Sequence, residues 1–437
     1  MRFERSHTRK TAFVAVAGSL ALLASACGGD DGSGGDAKGG DAGALEGRGP
    51  ITFATGKDTS GNLANQVAAW NSQHPEEKVE VRELPESADQ QRESMIQNAQ
   101  NKSDAFSVLN LDVVWTAEFA ANRWVAELPQ DKFPDLSKMI PATIETAKYR
   151  DKLYGVPITS DGGLLYYRSD LLQKAGVQAP KTWTEMTAAC QKVQALPEAK
   201  GMGCYAGQFE KYEGLTVNFS EAIDSAGGKV IDESGKPAVD SPEAVKGLEF
   251  LVNGFKQGVI PAAAITYKEE EGRRAFQESK LIFHRNWPYV YAKAAEPGSK
   301  IIGKYAVAPL PGMSGPGVST LGGHNYAISN FAKNKATAVD FINFMASEER
   351  QRANVEKTSQ APSNAALYDD PALQKKFPYL APLKASIEGA RSRPQVVKYG
   401  DVTTAIQEAA YAALTGKKPP QQAITDLQTK LSSLITQ

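Results

Sequence analysis

The chain has 437 residues, of which 41% are hydrophobic and 23% are charged. This composition is ordinary for a globular protein, and the length exceeds what a single hydrophobic core usually organises, so we expect two lobes. The 49 basic and 50 acidic residues leave a formal net charge of −1. Such a balance excludes an overall field that would hold nucleic acid or an anionic membrane surface.

The N-terminal segment has the charge and hydrophobicity pattern of a bacterial secretory signal. Basic residues at positions 2, 5, 9 and 10 precede an apolar run from Ala12 to Ala24, and the run is shorter than the ~20 residues of a membrane-spanning helix. The run closes with Leu23-Ala24-Ser25-Ala26-Cys27, which resembles a lipobox. We expect residues 1–27 to be a lipoprotein signal peptide with lipidation at Cys27, the alternative being a plain secretory signal.

Residues 28–49 are rich in Gly, Asp and Ser, a composition that buries little apolar surface and predicts a flexible tether. Lipid chains at Cys27 would hold the folded part at the outer face of the cell membrane. The other two cysteines, Cys190 and Cys204, lie close together in the sequence, and in an oxidising compartment this spacing favours a local disulfide. Few histidines and no Cys-x-x-Cys pair disfavour a metal site, and we expect neither a metal nor a cofactor.

Strands and helices alternate in the first part of the folded chain. We predict strands at 51–54, 79–84 and 106–111, a helix that includes Leu63, Val67 and Trp70, and a second helix at 89–101. This alternation indicates an α/β fold with a mainly parallel sheet. Ligands meet such sheets at the carboxyl ends of strands, which favours Lys57, Asp58 and Asp112 as contacts.

The remainder predicts a second α/β region and a return to the first. A strand at 153–158, a sharp turn and a strand at 163–167 predict a crossing between lobes. Strands at 305–310 and 322–328 indicate the return. The expected helices are 183–193, 212–226, 242–257, 269–278, 335–345, 348–356, 371–376, 382–388, 400–415 and 420–435, and a further strand is expected at 280–283.

Several stretches together resemble the family-1 extracellular solute-binding proteins, the maltose-binding class of receptors for ABC importers. They are Leu111-Asp112-Val113-Val114-Trp115-Thr116-Ala117-Glu118-Phe119-Ala120, Glu213-Gly214-Leu215, Asp224-Ser225-Ala226-Gly227-Gly228, Asn286-Trp287-Pro288-Tyr289 and Gly322-Gly323. The chain is most similar to the branch of actinobacterial lipoproteins that bind trehalose, maltose and other α-glucosides. The resemblance implies a type II periplasmic-binding-protein fold, with a first lobe at 50–162 and 286–341 and a second at 163–285 and 342–437.

The resemblance also implies a set of sugar contacts. Acidic side chains would accept hydrogen bonds from hydroxyls, arginine would donate to oxygens, and an indole would cover the apolar face of a pyranose. Two departures weaken the match to trehalose binders: position 161 is Asp where that branch has Asn, and its members lack the cysteine pair. The implied contacts are Asp112, Asp161, Glu269, Trp287, Gly322, Gly323 and Arg393, with Asp58 and Gln91 as weaker candidates.

Five of these contacts have a purely structural alternative. Asp112 is also suited to capping a following helix, and Asp161 to shaping the turn before two glycines. Glutamates 269–271 suit the solvated start of a helix. Trp287 is an alternative anchor for a hinge, and Arg393 is an alternative structural partner for a carboxylate.

The family implies a monomeric binding protein without catalytic activity, which delivers an α-glucoside to ABC permease subunits in the membrane. The alternative is a secreted glycoside hydrolase acting on α-glucosides, because such enzymes use the same acids and aromatics. A hydrolase needs two carboxylates at a fixed separation, one with a raised pKa, and no sequence pattern singles out such a pair. A third interpretation, an adhesion or scaffold lipoprotein, predicts no affinity for small ligands.

Overall fold

The computed structural model describes residues 45–435. The expected signal peptide, Cys27 and most of the expected tether lie outside these residues. Residues 45–49, which we expected to belong to the tether, instead bond to the folded part: the Glu46 carbonyl accepts from the Lys335 amide at 2.9 Å, and the Gly49 amide donates to the Thr337 hydroxyl at 3.2 Å. No helix among the described residues is long and apolar enough to cross a membrane.

The first sheet has five strands, and its two faces follow from the alternation of side chains along each strand. On β1, Phe53 points to one hydrophobic core, with Trp70 and Phe341, and Ala54 points to another, with Met95. Helices α1 (Leu63–Gln73) and α11 (Lys335–Ala346) therefore cover one face, and α2 (Ala88–Gln100) and α3 (Thr116–Ala121) cover the other. The strand order is β2 (Val79–Glu83), β1 (Ile51–Thr55), β3 (Val108–Asp112), β11 (His324–Ile328) and β6 (Val156–Thr159), with β1 parallel to both neighbours and β11 antiparallel to both.

The second sheet has four strands in the order β10 (Ala306–Ala308), β7 (Leu164–Tyr167), β9 (Leu281–Asn286) and β8 (Gly203–Ala206). Strand β7 is antiparallel to β9 and β10, whereas β8 is parallel to β9. Its strands share one continuous hydrophobic core with residues of helices α6 (Trp183–Gln194), α7 (Glu213–Ser225), α8 (Pro242–Lys256), α15 (Tyr399–Leu414) and α16 (Pro420–Leu434). The two sheets with their helices form the two lobes of a type II fold.

The predicted helices all form, with ends shifted by at most two residues. The predicted strand at 153–158 is in fact two short strands, because β5 pairs with β4 in a separate hairpin before β6 enters the first sheet. The helices are α1 (Leu63–Gln73), α2 (Ala88–Gln100), α3 (Thr116–Ala121), α4 (Pro141–Thr146), α5 (Ser169–Lys174), α6 (Trp183–Gln194), α7 (Glu213–Ser225), α8 (Pro242–Lys256), α9 (Glu269–Gln277), α10 (Val290–Ala294), α11 (Lys335–Ala346), α12 (Glu348–Thr358), α13 (Pro371–Lys376), α14 (Leu380–Glu388), α15 (Tyr399–Leu414) and α16 (Pro420–Leu434); the hairpin is β4 (Lys148–Tyr149) and β5 (Lys152–Leu153).

The chain crosses between the lobes after β6, as predicted, but returns later than expected. Residues from 286 were assigned to the first lobe, yet β10 pairs with β7 of the second sheet, and Val290, Ile301 and Leu310 pack in the second core. The return therefore lies between Leu310 and β11. The local pattern of an apolar strand does not specify which sheet the strand joins. For this reason the sequence analysis assigned this segment to the wrong lobe.

The disulfide expected from the sequence joins Cys190 on α6 to Cys204 on β8. Both residues are buried in the core of the second lobe, and their Cα atoms are 5.5 Å apart. The bond therefore connects a helix to the edge strand that it covers.

Reduction of this disulfide should lower the free energy of unfolding by about 3 kcal/mol. The unfolded chain gains conformational entropy when the short loop between the two cysteines is no longer closed. Urea denaturation with and without a reducing agent measures the difference. The Cys190→Ala/Cys204→Ala double variant is the control, since the reducing agent should not change its stability. A wild-type difference below ~1 kcal/mol would contradict the prediction.

Candidate functional site

A cavity of about 280 Å3 lies between the two lobes, close to the lower end of the ~300–1,000 Å3 found for small-ligand sites. The first lobe contributes the ends of β1, β3 and β6, and the second contributes the starts of α7 and α9 and the segment after β9. Lys57, which the strand pattern favoured, lines this cavity, and so do all nine contacts implied by the family resemblance: Asp58, Gln91, Asp112, Asp161, Glu269, Trp287, Gly322, Gly323 and Arg393. The sequence therefore located the residues of one cavity, and their role as ligand contacts stays a prediction.

Arg393 connects the two lobes at the floor of the cavity. Its guanidinium donates to both carboxylate oxygens of Asp112 at the end of β3, at 2.7 and 3.3 Å, and to Glu213 on α7 at 2.5 Å. The side chain is buried, so its charge needs these partners. Arg393 thus pairs structurally with carboxylates, the alternative to a sugar contact, and it also lines the cavity.

Glu213 was not predicted as a site residue, although it belongs to one of the stretches that carry the family resemblance. Its carboxylate accepts from Arg393, from the Tyr399 hydroxyl and, at 2.7 Å, from the Thr403 hydroxyl. Its amide donates to Asp89 on α2 at 3.0 Å, which adds a second bond between the lobes. Burial raises the pKa of Glu213 to about 7, although the charge of Arg393 opposes this shift.

Asp112 also shapes its own loop, because one carboxylate oxygen accepts from the Val114 amide at 3.2 Å. It does not cap α3, which starts at Thr116 after Trp115. The aspartate therefore stabilises the turn after β3 and pairs with Arg393 at the same time.

Trp287 lies against a buried cation. The Arg285 guanidinium is 3.9 Å from the centre of the indole, a cation–π contact, and the Glu221 carboxylate holds that guanidinium with bonds of 2.6 and 2.7 Å. Gln208 accepts a further bond from Arg285 at 3.1 Å. Trp287 therefore packs on Arg285 and also lines the cavity.

The two crossing segments meet at Gly322 and Gly323. The Gly322 amide and carbonyl both bond to the backbone of Asp161, at 2.8 and 3.1 Å. A Cβ at Gly322 would lie 2.9 Å from the Trp287 ring, and one at Gly323, whose φ is +112°, would lie 2.2 Å from the Thr159 carbonyl oxygen. Only glycine therefore allows the segments to approach this closely.

The Asp161 carboxylate accepts no hydrogen bond from any residue between 45 and 435 in the structure, so only its backbone shapes the turn. Burial, with the nearby charge of Asp112 as a second cause, raises the pKa of Asp161 to about 7, and Arg285 opposes the shift. The side chain is a hydrogen-bond acceptor facing a cavity without a protein donor.

Glu269 is the glutamate of the 269–271 run that lacks a cationic partner among the described residues. It accepts from the Tyr212 hydroxyl at 2.7 Å, and burial raises its pKa. Glu270, which also lines the cavity, pairs with Arg273, whereas Glu271 pairs with Arg274 and is outside the lining. The structure therefore favours Glu269 over Glu271 as an acceptor for a ligand.

Asp58 and Gln91 are largely occupied by the protein itself. Asp58 accepts at one oxygen from the amide and hydroxyl of Ser60 and from the Gly61 amide, and at the other from the Leu63 amide. Gln91 donates to the Glu86 carbonyl at 3.2 Å. These two residues chiefly shape the loop after β1.

A group of amide side chains lines the cavity and was missed by the sequence analysis. Asn354 on α12 accepts from Asn62 at 3.0 Å and from Gln66 at 2.6 Å, and Asn110 and Gln360 lie in the same lining. An isolated Asn or Gln on a helix carries no sequence signal that distinguishes it from a solvated surface residue. Three tyrosines, Tyr212, Tyr289 and Tyr326, also line the cavity.

Residues 56–352 match the family model described as bacterial extracellular solute-binding protein. The chain belongs to this family. A probable ABC transporter-binding protein of Deinococcus radiodurans is 35% identical to this solute-binding protein over 374 residues, which cover 82% of the chain and 86% of the relative. A galactooligosaccharide-binding protein of Bacillus subtilis is 26% identical over 84% of the chain and 85% of its own length.

Among solved structures, the maltose-bound T. maritima MalE3 superimposes with a TM-score of 0.84 and 35% identity. The match covers 88% of this solute-binding protein and 100% of that chain. Family and fold together identify the chain as a sugar-binding component of an ABC transporter, and such components bind oligosaccharides and work with permease components.

In the ligand-free protein, Asp161→Asn should make the free energy of unfolding depend less on pH. The folded-state pKa of about 7 exceeds the ordinary aspartate value, so the folded state binds more protons, and the contribution of Asp161 to stability is lost as pH rises through this window. Between pH 5 and pH 8 the variant should lose about 2 kcal/mol less stability than the wild type. Urea denaturation at both pH values measures this difference.

Buried His284 and His324, whose pKa values are lowered by burial, act in the opposite direction, but they are present in both proteins and cancel in the comparison. Asp240→Asn, at an exposed position outside the cavity lining, is the matched control. Identical slopes for the wild type and Asp161→Asn would contradict the prediction.

Proposed function

We propose that this protein binds an α-glucoside such as trehalose or maltose in the interlobe cavity and delivers it to the permease of an ABC importer. The observation that carries the proposal is an indole beside acceptors that have no cationic partner among residues 45–435: Trp287 lies beside Asp161, and Glu269 lines the same cavity. The 35% identity with a maltose-bound protein supports the choice of an α-glucoside.

This arrangement suits the surface of a pyranose. Carboxylates that have no cation bound to them accept hydrogen bonds from pairs of hydroxyl groups, and the indole packs on the apolar C–H face of the ring. Amide side chains such as Asn110 and Gln360, which both donate and accept, suit the remaining hydroxyls. Hydrogen bonds would thus orient the bound sugar, and packing against the indole would add to its affinity.

Both lobes contribute residues that would contact the sugar, so binding can drive closure of the lobes. A sugar bound across both lobes has a higher affinity for the closed arrangement than for an open one, and therefore shifts the population toward closure. The closed monomer would then dock on the permease subunits, which distinguish it from the open form by shape.

Trp287→Ala should weaken binding of the preferred disaccharide by ~10- to 100-fold, because it removes the aromatic surface against which the ring packs. Calorimetric titration of trehalose, maltose and longer α-glucans identifies the ligand and measures the loss. Trp183→Ala is the matched control: this indole stacks on Phe250 at 4.0 Å outside the cavity lining, so its removal should leave affinity unchanged. Equal affinities for wild type and Trp287→Ala would show that the indole does not contact the sugar.

The same titrations separate the receptor from a glycoside hydrolase. The raised pKa of Asp161 and the proximity of Asp112 are features that a hydrolase would share. However, Asp112 is held by Arg393, and the family consists of solute-binding proteins. Stoichiometric binding without release of glucose is expected, and product formation would overturn the receptor proposal.

We propose that lipid chains on Cys27 anchor the mature protein at the outer face of the cell membrane. A lipid-linked cysteine behind a Gly- and Asp-rich segment would let the folded part reach the permease while staying near the membrane.

Cys27→Ala should therefore release the protein from the membrane fraction into the medium or leave its signal uncleaved. Fractionation and mass spectrometry of the N-terminal peptide measure the two outcomes. Cys190→Ala/Cys204→Ala is the control, because it removes cysteines but leaves the lipobox intact. A Cys27→Ala protein that is processed and remains with the membrane would contradict lipid anchoring.

A further inference from the structure

The cavity wall carries more negative than positive charge. Seven carboxylates line it: Asp58, Glu86, Asp112, Asp161, Glu213, Glu269 and Glu270. Among residues 45–435, two guanidinium groups form salt bridges with them: Arg393 pairs with Asp112 and Glu213, and Arg273 pairs with Glu270. Asp161 and Glu269 have no cationic partner among these residues, and neither do Asp58 and Glu86 on the loops of the first lobe.

The other cationic groups near the cavity are already used or point to solvent. Arg285 is buried and held by Glu221, and Lys57 lies on an exposed loop beside Asp58 and Glu86, which also carry negative charge. His324 is in the lining, but burial lowers its pKa, so it is neutral at physiological pH. No cation in the described lining therefore pairs with Asp161 or Glu269. Asp161, whose pKa is about 7, is partly protonated at neutral pH, and a positively charged substituent beside it would favour its ionised form.

The position of Asp161 relative to Trp287 makes this charge relevant to a ligand. A Cβ placed on Gly322 would contact the Trp287 ring at 2.9 Å and the Asp161 Cβ at 3.4 Å, so the two side chains border the same glycine. A pyranose packed on the indole would have its substituents within reach of the Asp161 carboxylate. In a cavity between two lobes, where less water surrounds each group, a charge acts on substituents more strongly than it would at a fully exposed position.

We propose that this cavity selects its ligand by charge: it binds sugars that carry an ammonium group more tightly than their neutral parents, and it rejects sugars that carry a carboxylate or a phosphate. The inference rests on the proposed function, because it concerns the same cavity and adds the charge class of the sugar. An ammonium group donates hydrogen bonds to Asp161 or Glu269 and supplies the missing positive charge. An anionic substituent would face two carboxylates without a cation to receive it.

Matched sugars test the inference with the full mature chain. Maltose and trehalose are compared by calorimetry at neutral pH with analogues in which one 6-hydroxyl is replaced by an amine or the carbon is oxidised to a carboxylate, on each ring in turn. For at least one ring, the amine should bind ~10-fold more tightly than the parent sugar, and the carboxylate ~10-fold more weakly. The difference between the two charged analogues should shrink as salt is added.

Variants at the two acids identify the source of the discrimination. Asp161→Asn and Glu269→Gln keep the shape of each side chain and remove its charge, and at least one of them should reduce the ratio of amine to carboxylate affinity by ~10-fold. The ratio is the readout, since both residues are proposed to contact the neutral sugar as well. Asp240→Asn removes one exposed charge outside the lining and should leave the ratio unchanged.

The outcomes distinguish this inference from the proposed function. Binding of the parent disaccharide with equal affinities for both charged analogues on every ring would overturn charge selection and leave the function standing. Tighter binding of a carboxylate analogue, or a ratio unaffected by both variants, would also overturn it. Binding of none of these sugars would overturn the proposed function itself.

Discussion

The ion pairs of Arg393 are the constraint on which the arrangement of the cleft depends. A guanidinium stays charged inside a protein, and its burial is tolerated only when carboxylates and hydrogen bonds replace water. Asp112 from the first lobe and Glu213 from the second meet this need. Because one cation serves carboxylates of both lobes, it fixes how β3 and α7 approach each other, and with them the floor of the cavity.

A second buried cation, Arg285, supports the indole of the cavity. Glu221 binds Arg285 and also accepts from the Thr320 amide at 3.2 Å, so the support of the Trp287 indole is connected to the segment through which the chain returns to the first lobe. The aromatic surface and the crossing segment therefore share one polar network. Movement between the lobes would have to occur around this network, which keeps the indole in place relative to the second sheet.

The acids of the cavity illustrate how a binding site departs from the rules of a stable core. Their own burial, with the charge of Asp112 as a further cause, raises the pKa of both Asp161 and Glu213 to about 7, so the folded protein disfavours the ionised form of each carboxyl group. Carboxyl groups with strongly raised pKa values are typical of functional sites. A ligand that donates hydrogen bonds would remove part of this cost, so affinity and the stability of the cleft are linked.

The sequence by itself determined the α/β alternation, nearly all helices, the disulfide partners and the residues of one cavity, because periodicity and short motifs act locally. It did not determine that β10 joins the second sheet, that Glu213 shares Arg393 with Asp112, or that Asn354 lines the cavity. These features depend on contacts between residues far apart in the chain. Hydrogen bonds of strands and ion pairs across lobes form only when tertiary packing brings their partners together, and for this reason the tertiary structure alone decided them.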